Sequence, residues 1–259
     1  MKISIITVTY NVVDSLRNTL NSIRSQSYSN LELVIVDGGS TDGTLAIAKE
    51  FAGENTLIVS EPDQGIYDAM NKGVRLASGK YLNFMNAGDV FYNNQVVGRI
   101  AKELKDNQAD YIYGHVISLF GGQPKLSFAR PPSSMWQNKP YNHQSCFAAR
   151  KYLLKFPFDL SFKYAADYDQ AFRAQLDGAI FHRTEFAVAT VNMSEGASKT
   201  GFVKVSLERI KINWKYAPQK LRTLYYLSYN IPFLIFIYSL QKLGIFNWVM
   251  ARVGKLTNP

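Results

Sequence analysis

Polar side chains follow each of the first four apolar stretches of the chain, where they could bind one ligand together. Each group alone is more simply explained by helix caps and turn residues. Ligands of parallel α/β sheets collect at the carboxyl ends of the strands, so four such groups in succession indicate a shared binding site. The groups are Thr9-Tyr10-Asn11, Asp37 to Asp42, Glu61 to Gly65, and Asn86 to Asp89.

Two common phosphate-binding motifs are missing from these positions. A dinucleotide site would require G-x-G-x-x-G after the first strand, and a P-loop would require G-x-x-x-x-G-K. Neither is present, which disfavours nicotinamide and P-loop chemistry. The single cysteine, Cys146, can form neither an internal disulfide nor a Cys-x-x-Cys metal pair, and we expect it to be a small buried residue in a reducing compartment.

The elements that must position these groups alternate between strand and helix. Apolar runs predict strands at 3–9, 31–36, 56–60 and 80–85, and amphipathic patterns predict helices at 14–26, 43–52 and 66–77. This alternation favours right-handed crossovers and a mostly parallel sheet. Further along, the patterns predict a helix at 94–106, a hairpin of 110–120 with 125–129, a strand at 145–149, a helix at 165–176 and a strand at 179–191.

The ordered motifs resemble those of family 2 glycosyltransferases with the GT-A fold. The resemblance covers about residues 3–190, and the string from Glu61 to Gly73 is similar to a branch of bacterial enzymes that build exopolysaccharide, O-antigen or colanic-acid-type glycans. It implies a Rossmann-like nucleotide-diphospho-sugar transferase fold with a mixed, mainly parallel sheet flanked by helices. The implied domain is 1–200, with a nucleotide-binding half at 1–90 and an acceptor-binding half at 91–200.

This resemblance implies an inverting enzyme that moves a sugar from a nucleotide-diphosphate sugar, a UDP-sugar in the first instance, to a lipid-linked saccharide. Asp37 would accept hydrogen bonds from the base. Two alternatives are a non-catalytic nucleotide-sugar-binding protein and a sugar nucleotidyltransferase; nucleic acid is not an expected partner. The residues expected at the sugar donor are Thr9, Tyr10, Asn11, Asp37, Gly39, Asp63, Gly65, Tyr67, Asn71, Asn86, Ala87 and Gly88.

A departure from the family pattern concerns the metal site. The family commonly has Asp-x-Asp-Asp after the fourth strand, where this chain has Asn86-Ala87-Gly88-Asp89. One carboxylate can still hold Mg²⁺ or Mn²⁺ when phosphate oxygens and waters complete the coordination. We therefore expect Asp89 to bind a divalent cation, with a weakly bound or absent metal as the alternative.

The resemblance also places the general base in the segment from Tyr164 to Gln170. Asp167 matches the second acid of the family's Glu-Asp pair and is the expected base, with Asp169 as the alternative. An acid at this position would also be stabilised by the helix dipole without any catalytic role. His143 could contact phosphate, metal or acceptor, although a lone histidine is more often structural.

Positive charge is concentrated at the end of the chain. The net charge is +9, and residues 199–259 contain ten basic residues and one acid, Glu208, so the preceding 198 residues are neutral. Basic and apolar residues interleave at 204–222, and 223–241 carry no charge, a composition typical of interfacial helices on anionic lipid. We expect 201–259 to be a helical extension that binds the cytoplasmic face of the membrane, or alternatively an interface of a homo-oligomer.

Overall fold

The computed structural model describes residues 1–192 and 202–216, together with Ser228, Pro232, Ile235, Ser239 and Lys242. The strands are β1 (Ile3–Thr9), β2 (Leu31–Asp37), β3 (Thr56–Ser60), β4 (Tyr81–Phe84), β5 (Val90–Phe91), β6 (Tyr111–Phe120), β7 (Gln123–Ser127), β8 (Cys146–Ala149) and β9 (Phe181–Asn192). The helices are α1 (Val13–Arg24), α2 (Thr44–Glu50), α3 (Ile66–Leu76), α4 (Val96–Asn107), α5 (Arg150–Lys155), α6 (Ala166–Leu176) and α7 (Phe202–Tyr216).

All nine of these strands belong to one mixed sheet in the order β3-β2-β1-β4-β8-β6-β9-β5, and β7 pairs with β6 outside this path. The first four strands are parallel to one another, while β8 joins the two halves by antiparallel pairing with β4 and β6. Thr9 lies opposite Asp37, and Asp37 lies opposite Ser60, so the polar residues at three strand ends are neighbours.

The apolar core lies on both faces of the sheet. The central strand β1 is buried along its whole length, because Ile6 and Val8 face one cluster while Ile3 and Ile5 face the other. Strands covered on both faces read as continuous apolar runs, which explains the composition of β1 and β2. The first cluster also contains residues of α3, α5, α6 and α7, and the second contains residues of α1 and α4.

The predicted mixed α/β architecture is confirmed, and two short elements escaped prediction. β5 has only two residues, Val90 and Phe91, which is too short to show an alternating pattern. α5 begins at Arg150, directly after the last residue of β8, and no capping side chain marks its start in the sequence. Cys146 is buried as expected, and burial raises the pKa of its thiol to about 12.

The predicted C-terminal extension begins with a helix that packs against the rest of the fold. Ile212 and Asn213 of α7 are buried, and the rings of Tyr216 and Phe172 in α6 lie 5.7 Å apart. Apart from α7 and the five single residues, the extension lies outside the described residues, and its membrane contact stays a prediction. Among the described residues, no helix combines the length and apolar character needed to cross a membrane.

Candidate active site

The carboxylate of Asp37, at the end of β2, ties three strand ends together. Oδ1 accepts a hydrogen bond from Thr9 Oγ1 at 3.1 Å and one from Ser40 Oγ, while Oδ2 accepts from Ser60 Oγ at 2.6 Å and from the Ser40 amide at 3.0 Å. Burial acts to raise the pKa of Asp37, but the bonds from Ser40, Ser60 and Thr9 outweigh it and lower the pKa.

Four hydrogen bonds saturate this carboxylate, and Asp37 is fully buried. In this arrangement Asp37 fixes the loops around the site and has no free acceptor position for a ligand. Direct contact with a nucleotide base would require the base to replace one of the hydroxyl groups.

A group of residues beside Asp37, which we call the Tyr10 recess, consists of Tyr10, Gly38 and Asp63. The Tyr10 side chain is 63% exposed. A Cβ atom at Gly38 would lie 2.5 Å from Asp63 Oδ2 and 3.3 Å from Tyr10 Cδ2, so both side chains approach this glycine closely. An exposed aromatic face next to a carboxylate can stack on a planar ring and accept its N–H groups.

Asp63 also acts as a turn residue, because its Oδ1 accepts from the Gly65 amide at 2.8 Å. Asp63 therefore fits both the expected contact with the sugar donor and the alternative role of a turn residue. Gly65 has φ 112° and Gly39 has φ 83°, and these left-handed conformations favour glycine at the two loop positions.

Asn11 connects the loops that follow β1 and β2. Its side-chain oxygen accepts from the Thr41 amide at 2.9 Å, and its own amide donates to Ser40 Oγ at 2.9 Å. Asn11 itself adopts φ 50°, a conformation that asparagine tolerates better than most residues. It thus shapes the rim of the Tyr10 recess.

The loop that follows β4 is held by Thr19 of α1. The Thr19 hydroxyl accepts from the Gly88 amide at 3.0 Å and donates to the Asp89 carbonyl at 2.8 Å. Gly88 has φ 98°, and Ala87 packs against the apolar core. These contacts fix the direction in which Asn86 and Asp89 present their side chains.

Asp89 and Asn86 supply the oxygen atoms that could face a cation. Asp89 is nearly buried, burial raises the pKa of its carboxyl group, and its Oδ2 accepts from Gln144 Nε2 at 2.8 Å. Asn86 Oδ1 is buried without a hydrogen-bond partner. The described residues contain no cluster of three His, Cys, Asp or Glu side chains that could hold a metal ion by themselves. One carboxylate and one orphaned amide oxygen fit a Mg²⁺ or Mn²⁺ ion that takes its other ligands from phosphate and water.

A second charged group, which we call the Asp167 cluster, consists of Asp167 with Lys139, His143 and Tyr67. Lys139 Nζ donates to Asp167 Oδ2, His143 Nδ1 lies 3.6 Å from the same oxygen, and the Tyr67 hydroxyl donates to Oδ1 at 3.3 Å. Burial acts to raise the pKa of Asp167, but the positive charge of Lys139 and the contact with His143 outweigh it and hold the pKa well below its usual range. The carboxyl group is therefore ionised at neutral pH.

His143 connects the Asp167 cluster to the loop after β4. Asn86 Nδ2 lies 3.1 Å from His143 Nε2, and the other ring nitrogen, Nδ1, faces Asp167. The neighbouring Gln144 contacts Asp89. The structure thus brings together two regions, 86–89 and 167, that are far apart in sequence.

Two expected site residues are engaged elsewhere. Asp169 is fully buried and paired with Arg173 Nη2 at 2.7 Å, because residues two apart on a helix point to different faces. Asn71 accepts from the Phe158 amide and donates to the Phe158 carbonyl, both at 2.9 Å, so its side chain fixes a loop. Neither side chain joins the Asp167 cluster or the Tyr10 recess.

The structure also adds residues that the sequence analysis did not select. Lys139 lies in an irregular segment with no motif, and Thr19 and Gln144 act through contacts with the loop after β4. Their proximity to the predicted site depends on tertiary packing, which no local spacing encodes. Of these three residues, only Gln144 could have been found from the sequence, because it directly follows the candidate residue His143.

A separate cavity is not part of this arrangement. It has a volume of about 830 Å³ and lies at the opposite edge of the sheet, lined in part by Met1, Lys80 and Arg150. We assign the site to the strand ends instead, because the charged clusters and the orphaned oxygen are there.

Comparison with known proteins gives consistent matches. Residues 4–159 match the sequence profile described as "Glycosyl transferase family 2". The chain is 36% identical over 221 residues to the "PGL/p-HBAD biosynthesis glycosyltransferase" of Mycobacterium bovis (strain BCG / Pasteur 1173P2), covering 81% of this chain and 84% of the relative.

Two solved structures share the fold. The S. aureus TarS 1–349 structure in complex with UDP-GlcNAc aligns with a TM-score of 0.70 at 18% identity, covering 86% of this chain and 69% of that one. The mannosyltransferase PcManGT from Pyrobaculum calidifontis, in complex with GDP-Man and Mn²⁺, aligns with a TM-score of 0.64 at 17% identity, covering 98% and 80%.

Proposed function

The chain belongs to glycosyl transferase family 2 and is a glycosyltransferase, and from this premise we propose that it transfers a sugar with inversion from a UDP-sugar to a hydroxyl group of a lipid-linked glycan. The observation that carries the proposal is the Asp167 cluster, where a partly buried carboxylate is held ionised beside the loop that contains Asp89. An ionised carboxylate at this place can accept the proton that the acceptor must lose.

The nucleotide is placed in the Tyr10 recess. The ring of Tyr10 stacks on the base, and Asp63 Oδ2 accepts an N–H of its edge, which suits uracil. Asp37 supports the recess by holding the loops of Thr9, Ser40 and Ser60. The TarS structure in complex with UDP-GlcNAc supports the choice of a uridine nucleotide.

The diphosphate is placed near Asp89 and Asn86. Their two oxygen atoms, one carboxylate and one amide, would hold a divalent cation, which when bound neutralises the charge of the departing diphosphate. Gln144 and Thr19 keep this loop in position. The structure of PcManGT with Mn²⁺ supports a divalent cation at a site of this kind.

Asp167 is the proposed general base, and a base contributes about 10²–10⁴ in rate. The acceptor oxygen attacks the anomeric carbon, its proton passes to Asp167, and the bond between that carbon and the diphosphate oxygen breaks as nucleoside diphosphate leaves. Attack opposite the leaving group inverts the anomeric centre. His143 and Lys139 orient the carboxylate. Asp169 cannot replace it, because the Asp169 side chain is buried and paired with Arg173.

A lipid-linked acceptor agrees with the basic and apolar composition of 201–259, which we propose binds the cytoplasmic face of the membrane. The name of the mycobacterial relative, a PGL/p-HBAD biosynthesis glycosyltransferase, supports a glycan of the cell envelope. We propose surface polysaccharide assembly as the process.

The proposal is tested with a panel of UDP- and GDP-sugars, Mg²⁺ or Mn²⁺, and a polyprenyl-diphosphate saccharide as acceptor. We expect release of UDP with at least one UDP-sugar and an NMR spectrum of the product that shows the inverted anomeric configuration. Binding of sugar nucleotides without turnover would favour the non-catalytic alternative. In a separate assay, formation of a sugar nucleotide from a sugar phosphate and a nucleoside triphosphate, with release of diphosphate, would favour a nucleotidyltransferase.

A further inference from the structure

The chain that leads into α6 is held by a side chain from α7. Glu208 Oε1 accepts from the Lys163 amide, and Oε2 accepts from the Tyr164 and Ala165 amides, all at 2.9 Å. No side chain of the segment itself caps α6, whose cap position is Ala165. A negative charge at a helix N-terminus is favourable, so Glu208 both satisfies these amides and stabilises the start of the helix.

A second polar contact of α7 involves Tyr168, the residue that follows Asp167. The buried side chain of Asn213 contacts the Tyr168 hydroxyl in α6, and its Nδ2 donates to the Gln137 carbonyl at 3.4 Å. The same Tyr168 hydroxyl lies 2.5 Å from the Met135 carbonyl. These contacts tie α6 to the segment that carries Lys139, which is the ion-pair partner of Asp167.

We propose that Glu208 and Asn213 are positioning residues for the transfer reaction, with α7 holding both segments that form the Asp167–Lys139 pair. Glu208 fixes the peptide groups directly before Asp167, and Asn213 fixes the residue after it together with the 135–137 segment. This inference rests on the proposed role of Asp167 as base. A misplacement of about 1 Å in a catalytic group can cost about 10²-fold in rate, so small shifts of these segments matter.

The charge pattern of the chain gives this contact further meaning. Glu208 is the one acidic residue of 199–259, a segment with ten basic residues. The segment that we propose binds anionic lipid thus also supplies the carboxylate that holds the chain just before Asp167. Anchoring and catalysis therefore depend on the same C-terminal extension.

The test compares Glu208→Ala and Asn213→Ala with Lys211→Ala, a control on the exposed side of α7. All are measured in the full chain, with UDP-sugar and acceptor at varied concentrations and with thermal melting as a check of folding. For Glu208→Ala we expect kcat to fall about 10- to 100-fold. We expect the KM for the UDP-sugar to stay within about twofold, because the Tyr10 recess lies on β1 to β3 and not on α6.

A conservative variant separates positioning from folding. Glu208→Gln keeps an acceptor oxygen and should recover a large part of kcat relative to Glu208→Ala. If Glu208→Ala does not fold, the decision passes to Glu208→Gln and Asn213→Ala. Folded variants of Glu208 and Asn213 with the kcat of Lys211→Ala would overturn the inference, as would a loss expressed in KM alone.

Asp167→Asn, measured in the same series, distinguishes failure of this inference from failure of the proposed function. If Asp167→Asn is inactive and the α7 variants turn over normally, the positioning role fails and the base assignment stands. If Asp167→Asn turns over like wild type, the base assignment fails and the positioning role fails with it.

Discussion

At the scale of single residues, the site is built from two carboxylates with different surroundings. Asp167 is paired with Lys139 and His143 and has a lowered pKa, whereas Asp89 has an amide partner, Gln144, and a pKa raised by burial. Opposite shifts of neighbouring carboxyl groups are typical of sites where each has a separate task. Here Asp167 is kept in the ionised form that a proton acceptor requires, and a cation bound at Asp89 would favour the ionised form that burial disfavours.

The role of Lys139 can be tested by its replacement with methionine. Lys139→Met removes the positive charge that lowers the pKa of Asp167 and leaves the burial that raises it, so the pKa should rise. Because the base must be ionised, the low-pH side of the kcat profile should shift to higher pH. The measurement is kcat against pH, with Lys125→Met on the exposed strand β7 as control. An unshifted profile in a folded Lys139→Met protein would contradict the assigned pairing.

Asp37 is expected to contribute to stability in a pH-dependent way. The pKa of Asp37 is lower in the folded protein than in the unfolded chain, so the unfolded chain takes up the proton first as the pH falls. The stabilisation is therefore fully present above the pKa of the unfolded state and is lost as the pH falls through the pKa of the folded state. Asp37→Asn should lower the free energy of unfolding by about 1–3 kcal/mol at neutral pH. The difference from wild type should shrink below about pH 4.

Urea unfolding of Asp37→Asn at neutral and acidic pH measures this difference. Asp14→Asn, at an exposed position in the first turn of α1, serves as the control and should stay close to wild type. A difference between wild type and Asp37→Asn that is equal at both pH values would show that the carboxylate charge has no part in holding the loops.

At the scale of elements, the packing of α3 on β1 depends on a glycine. A Cβ atom at Gly73 would lie 2.5 Å from Ile6 Cγ2, whereas one at Gly98 in α4 would have its nearest neighbour at 3.9 Å. Gly73→Ala should therefore destabilise the fold by about 1–3 kcal/mol through overpacking. Gly98→Ala should stabilise it by up to about 1 kcal/mol, because alanine is the better helix former.

Thermal melting of the two glycine variants provides the check. The helices themselves are comparable in length, with 11 and 12 residues, so helix propensity alone predicts the same sign for both variants. A Gly73→Ala protein that is as stable as Gly98→Ala would contradict the described contact between α3 and β1.

The sequence was informative about elements and about residues at strand ends. The apolar runs of β1 to β4 predicted the parallel half of the sheet, and their ends predicted the location of Asp37, Asp63 and Asp89. The partners of these residues were harder to predict. Lys139 meets Asp167 across 28 residues and Glu208 meets Ala165 across 43, and such contacts arise from packing that no local pattern specifies.

Asn71 illustrates the same limit from the other side. Its motif indicated a ligand contact, and the amide instead binds the backbone of Phe158, 87 residues away. A buried amide must satisfy its donor and acceptor groups, and either a ligand or a loop can do so. The sequence alone contained no information to separate these two outcomes.

At the scale of the whole molecule, the C-terminal extension starts as part of the enzyme body, because Ile212 is fully buried and Glu208 holds the start of α6. A chain that ends at Tyr216 should keep its melting temperature and its turnover of a water-soluble acceptor while losing affinity for anionic vesicles. A chain that ends at Thr200 should lose stability and turnover together.

Vesicle flotation with phosphatidylglycerol, combined with melting curves, measures both effects. Neutral phosphatidylcholine vesicles are the control for charge, since binding through basic residues requires anionic lipid. Undiminished binding of the chain that ends at Tyr216 to anionic vesicles would contradict membrane association through the residues that follow α7.

We propose that Asp167 accepts the proton of the acceptor hydroxyl. The most direct measurement is the rate of UDP release with saturating UDP-sugar and acceptor for Asp167→Asn, beside Asp177→Asn at the other end of α6. We expect Asp167→Asn to lose about 10²–10⁴ in kcat while binding the UDP-sugar nearly as well as wild type, and Asp177→Asn to be unaffected. A folded Asp167→Asn protein that releases UDP at the wild-type rate would contradict the account.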